Sequence, residues 1–228
     1  QMADHNTHYL MALVYIMDGE YDLAEGCLEL AERSMKDVPI YLVMHGVVRY
    51  WKLFPAKNIV QEDNLLPPMY INPMILLDDA IREEFAYIIS FYQKALALAE
   101  RAENVEMQKQ ILSVWLSTLS ISDAYRDDGK EVAKKLLDID PYQYQAIVFL
   151  YSIGGDMPEI DAGEIEKQIQ KSNYQIEPML ASIYLELGKG NLEQAYAQLK
   201  KFQYKFKEKH MMEYWYELAA RACSKESE

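Results

Sequence analysis

Two histidines, His5 and His8, follow Asp4 at helical spacing, and the trio could place three metal ligands at one end of a helix. No other His or Cys lies near them in sequence, so a polar N-terminal turn is the better reading and no metal site is expected. His45 falls within an apolar segment, where an imidazole more often packs than acts as a base. His210 falls at a junction between segments. The carboxylate pairs Asp78-Asp79 and Glu83-Glu84 could supply acid and base partners. Neighbours on a helix point about 100° apart, so each pair spreads round the surface instead of converging. A phosphate-cradling Gly-rich loop, a Gly-x-Ser-x-Gly elbow and a His-Glu-x-x-His helix are all absent from the sequence. Gly154-Gly155 runs into Asp156-Met157-Pro158 and reads as a helix stop. Neither a catalytic residue nor a cofactor is expected, and the chain reads as a non-enzyme.

One basic cluster stands out: Lys200, Lys201, Lys205, Lys207 and Lys209, interleaved with Phe202, Tyr204 and Phe206. Basic and aromatic residues together can bind nucleic acid when they line a groove. Here they fall in the last turns of a predicted helix, where cations meet the negative end of the helix dipole. The whole chain carries a net charge of −13 and a pI near 4.8, which opposes docking of a polyanion. No nucleic-acid partner is expected. The acidic balance suits a neutral or basic one.

The two cysteines, Cys27 and Cys223, are too far apart and too few for a disulfide framework. They are expected as buried or half-buried thiols in a reducing compartment. The most apolar run, Tyr9 to Met17, stops at Asp18 and Glu20, short of the ~18 residues that a bilayer span needs. With no glycosylation sequon and no basic-then-apolar leader, the expected location is cytoplasmic.

These side chains must be carried by helices. Half of the residues are hydrophobic, which excludes a disordered chain. Met74 to Asp128 and Asn191 to Glu228 contain neither Gly nor Pro and are rich in good helix formers. No period-2 strand pattern is convincing. The 3.6-residue periodicity predicts helices near 5–18, 21–36, 39–53, 74–102, 104–121, 128–138, 142–153, 161–171, 176–188, 191–208 and 210–223. Asp161 and Asn191 are expected as N-caps, with Gly154-Gly155 and Gly188 as left-handed C-terminal caps. The stretch 56–73, with its three prolines, is expected to be a long loop or irregular insert.

A repeat is visible in the periodicity. The first helix pair reads His8-x2-Met11-Ala12-x2-Tyr15, then Gly19-x-Tyr21, then Ala24-x3-Leu28-x2-Ala31, with Pro39 beyond. Near the end, Glu177-x2-Leu180-Ala181-x2-Tyr184 repeats the first half and Ala195-x3-Leu199-x2-Phe202 the second. There the turn Gly188-Lys189-Gly190-Asn191 makes the unit two residues longer. Fainter echoes are His45-Gly46, Phe91-Tyr92 with Ala95-Leu96, and the junction Leu137-Asp138-Ile139-Asp140-Pro141. The pattern resembles the tetratricopeptide repeat, a helix pair recurring every 34 residues or so. Small residues such as Ala12 and Ala24 let two helices approach, and Tyr15 and Leu28 fill the space beside them. The resemblance implies an all-α superhelix of antiparallel helix pairs, with 1–228 as a single repeat domain.

The same resemblance implies a non-catalytic scaffold that holds a peptide or helix of a partner protein on a concave helical surface. In that register Asn6, Tyr9, Leu13, Ser182 and Leu185 face the groove. Most of the 18 tyrosines then serve packing. Other readings stay open. They are a substrate-recruiting or regulatory arm of a larger bacterial enzyme such as a glycosyltransferase, a peptide-sensing regulator, and a structural homo-oligomer.

Overall fold

The computed structural model describes residues 4–54, 78–173 and 175–224. Among these residues there are helices and no strands. The helices are α1 (His5–Met17), α2 (Tyr21–Ser34), α3 (Pro39–Leu53), α4 (Asp79–Arg101), α5 (Val105–Leu119), α6 (Arg126–Ile139), α7 (Tyr144–Ser152), α8 (Ala162–Lys171), α9 (Ile176–Gly188), α10 (Leu192–Glu208) and α11 (Met212–Cys223). Every predicted helix is present with its ends shifted by a few residues, and the first four positions of the helix expected over 74–102 lie outside the described residues. The expected loop over 56–73 lies outside the described residues.

The contacts divide the chain into two compact units, Gln1–Ala124 and Tyr125–Glu228. In the first unit each helix from α1 to α5 packs on the next. In the second, α6 packs on α7, α7 on α9, α8 on α9, α9 on α10 and α10 on α11. The fold is all-α, built from helices packed in adjacent pairs.

Small residues set the closest approaches. Ala12 of α1 and Ala24 of α2 are fully buried and cluster with Cys27, Leu28 and Val48, and Tyr9, Tyr15, Ile16, Tyr21 and Met44 pack round them. A leucine such as Leu28, buried in this way, contributes on the order of 2 kcal/mol. Gly46 of α3 lets the Tyr92 ring of α4 come so near that a β-carbon there would stand 2.5 Å from it. Gly129 of α6 meets the Phe149 ring of α7 in the same way, at 2.2 Å.

The turns repeat more faithfully than the sequence does. Four helix pairs (α1–α2, α4–α5, α9–α10 and α10–α11) are joined by three residues each, with the middle one left-handed: Gly19, Glu103, Gly190 and His210. The third residue then donates its N–H five residues back: Glu20 to Tyr15, Asn104 to Ala99, Asn191 to Glu186 and Met211 to Phe206, at 2.8–3.0 Å. These bonds satisfy carbonyls that the helix end leaves free. His210, held at φ 56°, is the reason α11 starts at Met212 and not at the expected 210.

Three local expectations need correction. Gly154 is left-handed as expected, but Gly188 is not. It closes α9 as a helical residue against Met157, and Gly190 takes the positive φ. The two extra residues of that repeat lie inside α9, which runs from Ala181 on to Gly188 where α1 runs from Ala12 only to Met17, while the turn keeps the length it has between α1 and α2. Asp161 caps α8 by accepting from Gly163 and Glu164, whereas Asn191 occupies its N-cap position without a side-chain cap and donates to Glu186 instead.

Candidate functional site

The sequence-nominated groups fall mostly into structural roles. Asp4 caps α1 by accepting from the Thr7 N–H at 2.8 Å, and this bond holds its carboxyl below the usual range. His5 Nδ1 lies 2.7 Å from the Tyr41 hydroxyl. Among the described residues no three His, Cys, Asp or Glu side chains converge as metal ligands. Asp78 caps α4 through Ala80 and Ile81, Asp79 pairs with Arg82, and Glu84 pairs with Arg49, so the adjacent carboxylates diverge as helical geometry requires.

Electrostatics concentrate between α2 and α3. Asp22, Glu25 and Glu32 on α2 face Lys52, Arg49 and His45 on α3, because spacings of three and seven on α2 and of four and three on α3 keep each set on one helix face. Lys52 lies 2.7 Å from Asp22 and 3.0 Å from Glu25, Arg49 lies 2.7 Å from Glu25, and His45 Nε2 lies 3.6 Å from Glu32. Arg49 also reaches Glu84 of α4 at 2.8 Å and sits over the Tyr87 ring. His45 is buried and stacks on Phe91, and burial pushes its imidazole below its ordinary value near 6.5 while Glu32 opposes the shift.

The lysine-rich end of α10 is largely engaged. Lys201 pairs with Glu166 at 2.6 Å and Lys205 with Glu208 at 3.0 Å, and Lys200 covers the Tyr196 ring. Tyrosine serves packing in the second unit. Tyr144 of α7, Tyr184 of α9 and Tyr214 of α11 are buried together, the last two sharing a hydroxyl–hydroxyl hydrogen bond. Burial pushes all three phenols well above their ordinary value. An open cleft between Gly155–Asp161 and the end of α9 carries the carboxylates Asp156 and Glu159. Cys27 is buried, but Cys223 is exposed, against the expectation for both thiols, and neither is paired.

The five groove positions do not share one environment. Ser182 and Leu185 of α9 are only 5% and 1% exposed, covered within their own unit, so they offer a partner no surface. Their helix is packed by α7, α8 and α10, which leaves it almost no free face. On α1, Asn6 is exposed and Leu13 half-buried, and Tyr9 packs its ring 5.3 Å from Tyr41.

The surface that sequence reasoning missed lies between these α1 residues. Leu10 is 61% exposed, Val14 54% and Met17 86%. With Met11 on α1 and Leu23 and Leu30 on α2, most of the exposed large apolar side chains of the described residues fall on the first helix pair. The signal was present in the unbroken apolar run Tyr9–Met17. A helix apolar on every side cannot bury all of itself against one neighbouring pair. No described helix is long and apolar enough to cross a membrane. No family model matches the chain, and neither does any curated protein or solved structure.

Proposed function

We propose that the chain is a non-catalytic protein-interaction module of tetratricopeptide-like helix pairs that holds a peptide or helix of a neutral or basic partner. The single observation that carries this is the exposed apolar surface of α1, since monomeric proteins seldom leave such side chains contiguous without a binding role. Asn6, Tyr9 and Leu13 border that surface and stay in the proposed site, and Leu10, Val14 and Met17 join them. Ser182 and Leu185 do not. Two unpaired thiols, one of them exposed, support a reducing compartment such as the cytoplasm.

A photocrosslinking amino acid placed at Leu10, with a second placed at Gln203 on the exposed side of α10, tests the reading in the native cell. Adducts of a partner protein from position 10 and none from position 203 are expected. Absence of adducts from position 10 overturns it.

A further inference from the structure

The outer face of α1 has a definite pattern. Ala12, with Tyr9 and Ile16 beside it, faces the core of the first helix pair. At 3.6 residues per turn, Leu10, Val14 and Met17 fall on the opposite side. Asn6, Leu10, Leu13 and Met17 recur at spacings of four, three and four, the seam by which one helix packs along another at a shallow angle. Along this seam the apolar residues are exposed or half-buried, and none carries a charge.

The carboxylates left open to a partner lie at the C-terminal end of the seam. Asp18 and Glu20 follow Met17 directly, are exposed, and make no ion pair among the described residues. The C-terminus of α1 adds the negative end of a helix dipole at the same place. At the N-terminal end the carboxylate is Asp4, which is engaged as the cap of α1 by the Thr7 N–H and hydroxyl, beside the uncharged Asn6.

We infer that this seam binds one amphipathic helix of a partner protein, with leucine-like residues on its apolar stripe and lysine or arginine on the flank beside Asp18 and Glu20. The charge pattern selects this occupant over a second copy, which would bring a chain of net charge −13 against another of the same charge. Antiparallel docking also sets the positive N-terminus of the incoming helix against the negative end of α1. The assignment rests on α1 being an interaction surface.

The test uses a labelled synthetic peptide of about 18 residues, five helical turns, with leucine on the seam and lysine on the flanks. A matched peptide carries glutamate on the flanks. Fluorescence anisotropy should show the lysine peptide binding the full chain and the glutamate peptide failing to bind. The double variant L10E/V14E should weaken binding at least about tenfold, although it adds two carboxylates. Indiscriminate charge attraction would make that variant bind more tightly, and this result overturns the inference. D18N/E20Q should weaken binding about three- to tenfold, and unchanged affinity overturns the charged end of the site. Failure of both peptides, alongside crosslinks from position 10, overturns the helix partner and leaves the interaction surface standing. A concentration-dependent dimer in sedimentation, dissolved by L10E/V14E, overturns it in favour of a second copy.

Discussion

Arg49 of α3 holds Glu25 of α2 at 2.7 Å, and both side chains are more than two-thirds withdrawn from water. The same guanidinium reaches Glu84 of α4, so one residue ties three successive helices. Removing Arg49 takes this partner from Glu84 and leaves the largely buried Glu25 with Lys52 alone. Arg49→Ala is therefore expected to cost about 1–3 kcal/mol, between the values typical of exposed and buried pairs. Urea unfolding of the variant checks this, with R33A, which loses only an exposed pair to Glu29, as the reference expected within about 0.5 kcal/mol of wild type.

His45 should make stability depend on pH. Its imidazole is favoured neutral in the fold because burial pushes its pKa below its ordinary value near 6.5. The unfolded chain then binds a proton that the folded chain resists, so stability rises with pH through this range. It is expected to be full above about pH 7.5 and to fall as pH drops through the mid-sixes. His45→Gln should flatten that part of the profile in unfolding curves taken between these limits.

Glycine to alanine changes should split by site. Gly26 on α2 has nothing within 4 Å of a new β-carbon, so G26A should stabilise by about 0.5–1 kcal/mol through helix propensity. At Gly46 the β-carbon would stand 2.5 Å from the Tyr92 ring, and at Gly129 it would stand 2.2 Å from the Phe149 ring. G46A and G129A should destabilise by about 1–3 kcal/mol despite the same propensity gain. Thermal melts of the three variants decide it.

The left-handed turns give a further pair. His210 and Glu103 adopt a conformation that costs a residue with a β-carbon about 1–2 kcal/mol. His210→Gly and Glu103→Gly should therefore stabilise by roughly 0.5–1 kcal/mol. Gly19→Ala and Gly190→Ala should destabilise by about the cost that His210 and Glu103 already bear. Equal melting temperatures across the set would remove the strain explanation.

These turns also show why the sequence was legible in some places and opaque in others. Where glycine fills the left-handed position, at Gly19 and Gly190, the repeat could be read directly. Where Glu103 and His210 fill it, the geometry is the same but no residue type announces it, and the repeat reading faded. Helix existence was legible throughout, because periodicity and the confinement of proline to segment ends both follow from local chemistry. Burial of Ser182 and Leu185 was not, since it depends on α7, α8 and α10 closing round α9. The α1 surface was half legible. Asn6, Tyr9 and Leu13 were named from the repeat register, but Leu10, Val14 and Met17 were not, because an apolar residue does not say which side of its helix is covered.

The most direct test of an interaction surface on α1 is the peroxide oxidation of Met17 in the native cell compared with the purified chain, with exposed Met35 as internal standard. A covered seam predicts that Met17 is oxidised readily in the purified chain and protected severalfold in the cell, while Met35 behaves alike in both. Equal oxidation of Met17 in the two settings would contradict it.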